Sequence, residues 1–161
     1  MTRRFFIDLD GVLADLRTAY FQKYGVSLSD DRNAQDPPNF TENLSAPRFF
    51  RDMPLMPDAR QLWDGVMSLS GWRTPSVLTA VPRGHGAPNA ADQKRAWVAE
   101  HFGRSVNVVC CFSNEKHLHG VSGDVLIDDW SRHQRKWVKM GGVFVLHTSA
   151  ASSLDALQEM L

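Results

Sequence analysis

The chain has 161 residues, 43% hydrophobic and 22% charged, enough for one soluble globular domain that buries most of the surface its unfolded form exposes. Its 18 Lys and Arg balance 18 Asp and Glu, which excludes the global basic field that holds long nucleic acid or an anionic membrane. No apolar run approaches the roughly 18 residues of a membrane span and no signal-peptide pattern is present, so a cytoplasmic protein is expected.

The first predicted element is the strand RFFIDLD (4–10), where Phe5, Phe6 and Ile7 run directly into Asp8, Leu9, Asp10 and Gly11. Two carboxylates two positions apart each make the other costlier to ionise, so the pair calls for a cation. After the first helix, residues 25–57 are rich in Pro, Asn, Asp and Ser and carry little strand pattern. They read as a small insertion over one end of the sheet, mostly loop with short helices. The single domain then consists of a core, 1–24 and 58–161, and this cap.

Residues 59–69 place Leu62, Val66 and Leu69 at helical spacing. SVLTAV (76–81) is the second strand. Asn89 caps a helix to Phe102, with Trp97, Val98, His101 and Phe102 on one face and Gly103 as its stop. VNVVCCF (106–112), DVLIDD (124–129) and VFVLHT (143–148) are the remaining strands. The closing helix takes Ser152 or Ser153 as cap and repeats leucine at Leu154, Leu157 and Leu161. Short strands alternating with helices imply right-handed βαβ units and an α/β fold, a doubly wound, five-stranded, Rossmann-like parallel sheet. Cys110 and Cys111 are neighbours in a strand and point to opposite faces, so they are expected as free structural thiols in a reducing compartment.

In an open parallel sheet, ligands bind at the carboxyl ends of the strands. Those ends deliver Asp8 and Asp10, then Thr79, then Lys116 in FSNEKH, then Asp128 and Asp129. Carboxylates so concentrated need a hard divalent cation, and Mg²⁺ is the expected one. Mg²⁺ keeps waters or takes a phosphate oxygen, which points to phosphate chemistry. The Thr79 hydroxyl and Lys116 ammonium suit the remaining phosphate oxygens.

Lys94, in KRAWV, competes for the role of Lys116, but helical lysines are mostly solvated, so Lys116 is preferred. Arg83 lies just beyond Thr79, within reach of a phosphate, though an exposed loop role is preferred. Phe49 and Phe50 either wall a nucleobase pocket by stacking or pack as core. Trp130 follows the acidic pair and reads as core before site, and Trp63, Trp72, Trp97 and Trp137 read as core. His117 and His119 lack a third metal ligand at convincing spacing and read as surface groups or as groups that support the site from behind its ligands.

DLDGVLAD (8–15), Thr79, a lysine after the third strand and DVLIDD (124–129) match, in order, the four signature motifs of the haloacid dehalogenase superfamily. FFRDMPLMPDA (49–59), KRAWVAEHFG (94–103) and GDVLIDD (123–129) further resemble the 5′(3′)-deoxyribonucleotidases. The likeness covers most of 5–129 and is weakest at 17–48.

The resemblance implies a Mg²⁺-dependent phosphomonoesterase working through an aspartyl-phosphate. Asp8 would be the nucleophile and Asp10 the acid and base, with the Asp10 main-chain carbonyl on the metal. Asp8 and Asp129 would ligate the metal through side chains while Asp128 orients its shell, the choice between the last two following the family pattern. Thr79 and Lys116 would hold the phosphoryl oxygens. Gly11, Ala80, Arg83, Phe49 and Phe50 are the candidate substrate contacts. Ala80 stands where the family usually has serine, and Leu16 where it often has an aromatic residue. The implied substrate is a deoxyribonucleoside 5′- or 3′-monophosphate. A sugar phosphate, a polynucleotide 3′-phosphate end or a non-catalytic phosphate-binding module are the alternatives, and a homodimer is compatible with each.

Overall fold

Alternating apolar side chains along five short strands give a sheet with two buried faces. The computed structural model describes residues 3–84 and 87–160, so the expected Leu161 of the last leucine repeat lies outside the described residues. In chain order the elements are β1 (Phe5–Ile7), α1 (Leu16–Tyr24), α2 (Phe40–Leu44), α3 (Ala59–Leu69), β2 (Ser76–Ala80), α4 (Ala87–His101) and β3 (Val108–Cys111). A 3-10 turn (Ser113–Leu118), β4 (Val125–Asp128), a second 3-10 turn (Ser131–His133), α5 (Gln134–Lys139), β5 (Val143–Leu146) and α6 (Ala150–Met160) follow.

The strands form one parallel sheet in the order β3-β2-β1-β4-β5, with Ile7 opposite Val77 on one side and Ile127 on the other. The expected doubly wound, five-stranded α/β fold is the one observed. Ile7, Val77, Ile127 and Val145 join one apolar cluster, with Tyr20 of α1, Leu62 and Val66 of α3, Trp97 of α4 and Leu157 of α6. Phe6, Leu78, Leu126 and Phe144 join the other, where the chief cover is Trp137 of α5. Its indole meets Phe6 edge-on at 5.7 Å and donates to the Asp124 carbonyl at 3.3 Å.

Several boundaries differ from expectation, each for a local reason. β1 ends at Ile7 rather than at Asp10, because the Leu9 carbonyl accepts from Leu13 and Ala14, each at 2.9 Å, and closes a tight turn. Asp10 therefore stands in this turn, while Asp8 still bonds to β4 through its amide. α4 starts at Ala87, so Asn89 lies inside the helix rather than capping it. α6 starts at Ala150, and Ser149 takes the capping role expected of Ser152 or Ser153, its hydroxyl accepting from the Ser152 amide at 3.1 Å. Trp72 is not core: it is 73% exposed, turned out by the left-handed Gly71 and its own φ of 63° at the end of α3. Trp63, Trp97 and Trp137 are buried as expected. α5 and both 3-10 turns went unpredicted, being too short to show a period.

Within 25–57, α2 is the one α-helix. Tyr20 packs on Phe40 at 5.3 Å and its hydroxyl accepts from the Asn43 amide group at 2.8 Å, which ties α2 to α1. α4 holds the far end of the segment. The Gln93 side-chain carbonyl accepts from the Phe50 and Arg51 amides at 3.0 and 3.1 Å, and the Trp97 indole donates to the Met53 carbonyl at 2.7 Å. Among the described residues no helix is long and apolar enough to cross a membrane. Cys110 and Cys111 are free, and burial pushes the Cys111 thiol up to about 11.

Candidate active site

Carboxylates after a strand commonly cap the helix that follows, but here Asp15 does that work. Its side chain accepts from the Thr18 amide at 3.0 Å and the Thr18 hydroxyl at 2.7 Å. Asp8 and Asp10 are thereby left to the sheet edge. Asp8, only 4% exposed, is locked in place by its amide, which donates to the Ile127 carbonyl at 2.9 Å.

Lys116, carried by the first 3-10 turn, bridges two acids. Its Nζ lies 2.8 Å from Asp8 Oδ1 and 2.7 Å from Asp128 Oδ2. Burial works against its charge, but the two neighbouring carboxylates outweigh that and hold the ammonium above its ordinary range. Asp128 is equally buried, yet Lys116 and His133 Nδ1, 3.0 Å from Oδ2, keep its carboxyl well below the usual range. Its Oδ1 accepts from the Trp130 amide at 2.8 Å. Asp8 goes the other way: burial outweighs the Lys116 pairing, and the nearby Asp128 and Asp10 add to the upward push.

Lys94 is where the structure departs furthest from expectation. It is not a solvated helical lysine but fully buried, its Nζ 4.5 Å from the centre of the Phe50 ring. The ammonium donates to Asp10 Oδ2 at 2.5 Å, to the Thr79 hydroxyl at 3.0 Å and to the Ala80 carbonyl at 2.6 Å. Both candidate lysines therefore face the site, Lys116 serving Asp8 and Asp128 while Lys94 serves Asp10 and Thr79. Asp10 Oδ1 is buried without a partner among the described residues.

Asp129 completes the acidic group. One carboxylate oxygen from each of Asp8, Asp128 and Asp129 falls within 4.8 Å of the others, and among the described residues no second such cluster occurs. His117 and His119 belong to none. Burial, then the neighbouring Asp8, pushes the Asp129 carboxyl up to about 7. Its Oδ1 is buried without a hydrogen bond among the described residues, and its Oδ2 has Arg32 Nε 3.3 Å away. Gly11, at φ 82°, passes so close that a Cβ there would strike Asp129 Oδ2. An orphaned buried oxygen, three converging acids and a backbone bare of side chain fit a hard divalent cation. Gly11→Ala is expected to cost about 1–2 kcal/mol in backbone strain alone and to displace the Asp129 carboxylate. A thermal melt, which should fall by several degrees, checks it.

Asp8, Asp10, Phe50, Ala80, Arg83 and Trp130 share a cavity of about 310 Å³. Gly11 and Asp129 instead open on a second cavity of about 500 Å³, and Arg32 borders both. Phe49, paired with Phe50 in expectation, turns away from the site: it packs edge-on to Phe50 at 5.3 Å and near-parallel to Tyr24 at 6.3 Å. Arg83 is exposed at the mouth, over the Phe112 ring and donating to Asn114 Oδ1 at 2.9 Å. Trp130 borders the cavity rather than the core, its indole donating to Asn33 at 3.3 Å. Arg32, Ser113 and His133 went unrecognised in the sequence. No spacing signal marks them, since each reaches the site from a turn or loop.

A β3-β2-β1-β4-β5 sheet with Asp8, Asp10, Thr79, Lys116, Asp128 and Asp129 along its carboxyl edge defines a phosphatase of the haloacid dehalogenase class. The family model described as 5′ nucleotidase, deoxy (Pyrimidine), cytosolic type C protein matches residues 3–154, and the chain belongs to that family. It is also similar to a protein of Bordetella bronchiseptica named "Putative 5'(3')-deoxyribonucleotidase", 27% identical over 139 residues that cover 76% of this chain and 72% of that one.

Proposed function

We propose that the protein is a cytoplasmic, Mg²⁺-dependent 5′(3′)-deoxyribonucleotidase that works through an aspartyl-phosphate on Asp8. The observation that carries the reading is the division of labour at the edge: Asp8 sits beside Lys116, while Asp10 has its own lysine and an Oδ1 without a partner among the described residues. Asp8 attacks phosphorus, the bond to the leaving alkoxide breaks, and Asp10 delivers the proton that alkoxide needs. Asp10 then takes a proton from water, which adds to the phosphorus of the acyl phosphate, releases inorganic phosphate and restores Asp8. Lys116 offsets charge on the phosphoryl oxygens, and Lys94 holds Asp10 and the Thr79 hydroxyl in place.

Asp8 and Asp129 side chains and the Asp10 main-chain carbonyl would hold Mg²⁺, with Asp128 kept back by Lys116, His133 and the Trp130 amide. When bound, the ion neutralises the crowded acids and the phosphoryl charge. Every group in this scheme comes from one chain, so a homodimer adds nothing the chemistry needs.

The cavity walls of Phe40, Leu44 and Phe50 suit a flat apolar group such as a nucleobase, and the volume suits a small substrate. The test is a panel of dUMP, dTMP, deoxynucleoside 3′-phosphates, ribonucleotides and sugar phosphates. Deoxynucleotides should exceed the others by about tenfold or more in kcat/KM. EDTA should abolish turnover and Mg²⁺ restore it. A preference for sugar phosphates would overturn the substrate, and full activity in EDTA would overturn the metal.

A further inference from the structure

His133 stands at the end of the second 3-10 turn, immediately beyond the strand end that carries Asp128 and Asp129, and is buried. Its Nδ1 lies 3.0 Å from Asp128 Oδ2, and its Nε2 lies 2.9 Å from the Ser113 hydroxyl. Ser113 is the first residue of the other 3-10 turn, whose fourth residue is Lys116. One imidazole thus spans two separate segments, the turn that carries the lysine and the strand end that carries the acid.

We propose that His133 is a positioning residue that, together with Ser113, fixes Lys116 between Asp8 and Asp128. A carboxylate can only accept, so Nδ1 must be the donor toward Asp128. In the neutral ring, Nε2 is then the acceptor of the Ser113 hydroxyl. Asp128 Oδ2 is shared between His133 and Lys116, and Oδ1 is held by the Trp130 amide, so the carboxylate cannot rotate toward Asp8 and Asp129. Among the described residues the Lys116 ammonium is anchored by Asp8 and Asp128 alone. Without the imidazole, Asp128 loses a donor and the lysine turn loses its tie through Ser113. Lys116 then drifts from Asp8, and a shift of about 1 Å is enough to cost on the order of 100-fold in rate.

The test uses p-nitrophenyl phosphate, so the identity of the nucleobase does not enter. His133→Leu should lower kcat by about 10- to 100-fold with KM changed far less. His133→Asn, whose amide N–H can reach the place of Nδ1, should recover most of that loss. Ser113→Ala, at a half-buried position, should cost a few-fold in the native background and nothing further in His133→Leu, because the two residues act through one link. A kcat unchanged in His133→Leu, equal losses in the Leu and Asn variants, or a Ser113→Ala effect that simply multiplies with His133→Leu each overturns the proposal. Should His133→Leu fail to fold, the Asn variant and Ser113→Ala decide the matter. Asp8→Asn in the same assay keeps the two readings apart. Turnover in that variant sinks the covalent chemistry, whereas an inactive Asp8→Asn beside an unimpaired His133→Leu sinks only the role of His133.

Discussion

Asp8→Asn is expected to lower kcat on the order of 10⁴- to 10⁶-fold while leaving the protein folded and at least as stable. The activity loss follows from chemistry: an amide is no nucleophile toward phosphorus, so the first bond cannot form. The stability result follows from the electrostatics of the edge. Burial raises the Asp8 carboxyl above its ordinary value in spite of Lys116, with Asp128 and Asp10 adding like charge. A carboxyl whose folded pKa lies above its unfolded one costs stability, a cost that grows as pH rises from the unfolded value to the folded one and is constant above it. The neutral amide removes that cost, and Lys116 keeps Asp128 as a partner at 2.7 Å.

Melting curves at about pH 4 and pH 7 should therefore show the Asp8→Asn protein equal to or above native, with the larger gain at pH 7. Rapid quenching of native enzyme with labelled substrate should trap an acid-stable, hydroxylamine-labile phosphoryl group that the variant lacks. Retained turnover, or a label of equal size in the variant, would remove the covalent mechanism.

Lys94→Met is expected to be the most destabilising single change near the site. Lys94 is 0% exposed and its ammonium serves Asp10, the Thr79 hydroxyl and the Ala80 carbonyl together. Methionine fills a similar volume but leaves a largely buried carboxylate and two polar oxygens without their donor. Breaking a buried pair by removing one partner costs about 3–5 kcal/mol. Replacing Asp10 as well, in Lys94→Met with Asp10→Asn, should return much of that stability, because no uncompensated charge remains. Under the proposed mechanism both proteins should be nearly inactive, since Asp10 would handle the proton and Lys94 would orient it. Denaturant melts of the two single variants and the double one supply the cycle. A Lys94→Met protein as stable as native, or a double variant no better than the single, would show that the ion pair is not what Lys94 contributes.

The placement of these groups was legible in part. The apolar runs at Phe5–Ile7, Val77–Leu78 and Val125–Ile127 belong to strands buried on both sheet faces, and such runs can be read without neighbours. Once parallel strands are assigned, their carboxyl ends follow, and with them Asp8, Asp10, Thr79, Asp128 and Asp129. The resemblance to the haloacid dehalogenase motifs rests on the same stretches. Lys94 stands three and four positions before the buried Trp97 and Val98, so helical spacing sets it on the inward face, a signal that the usual solvation of helical lysines outweighs in a sequence reading. What it meets there depends on how α4 lies against Phe50 and the ends of β1 and β2. Phe49 and Phe50 posed the same difficulty: neighbours in a turn point apart, and only the packing of Phe49 on Tyr24 and of Phe50 beneath Lys94 tells them apart.

Local sequence was thus sufficient for the α/β class, the strand order's raw material and the acids at the edge, because burial on two faces and strand-end chemistry are properties of short segments. The pairing of each acid with its cation was decided by the folded chain alone. Lys116 and His133 come to Asp128, Lys94 to Asp10 and Arg32 to Asp129 from four separate segments. Lys94 and Arg32 meet their partners across long stretches of chain and His133 reaches Asp128 over five residues through its 3-10 turn, so no periodic pattern in the sequence names the partner of any of them.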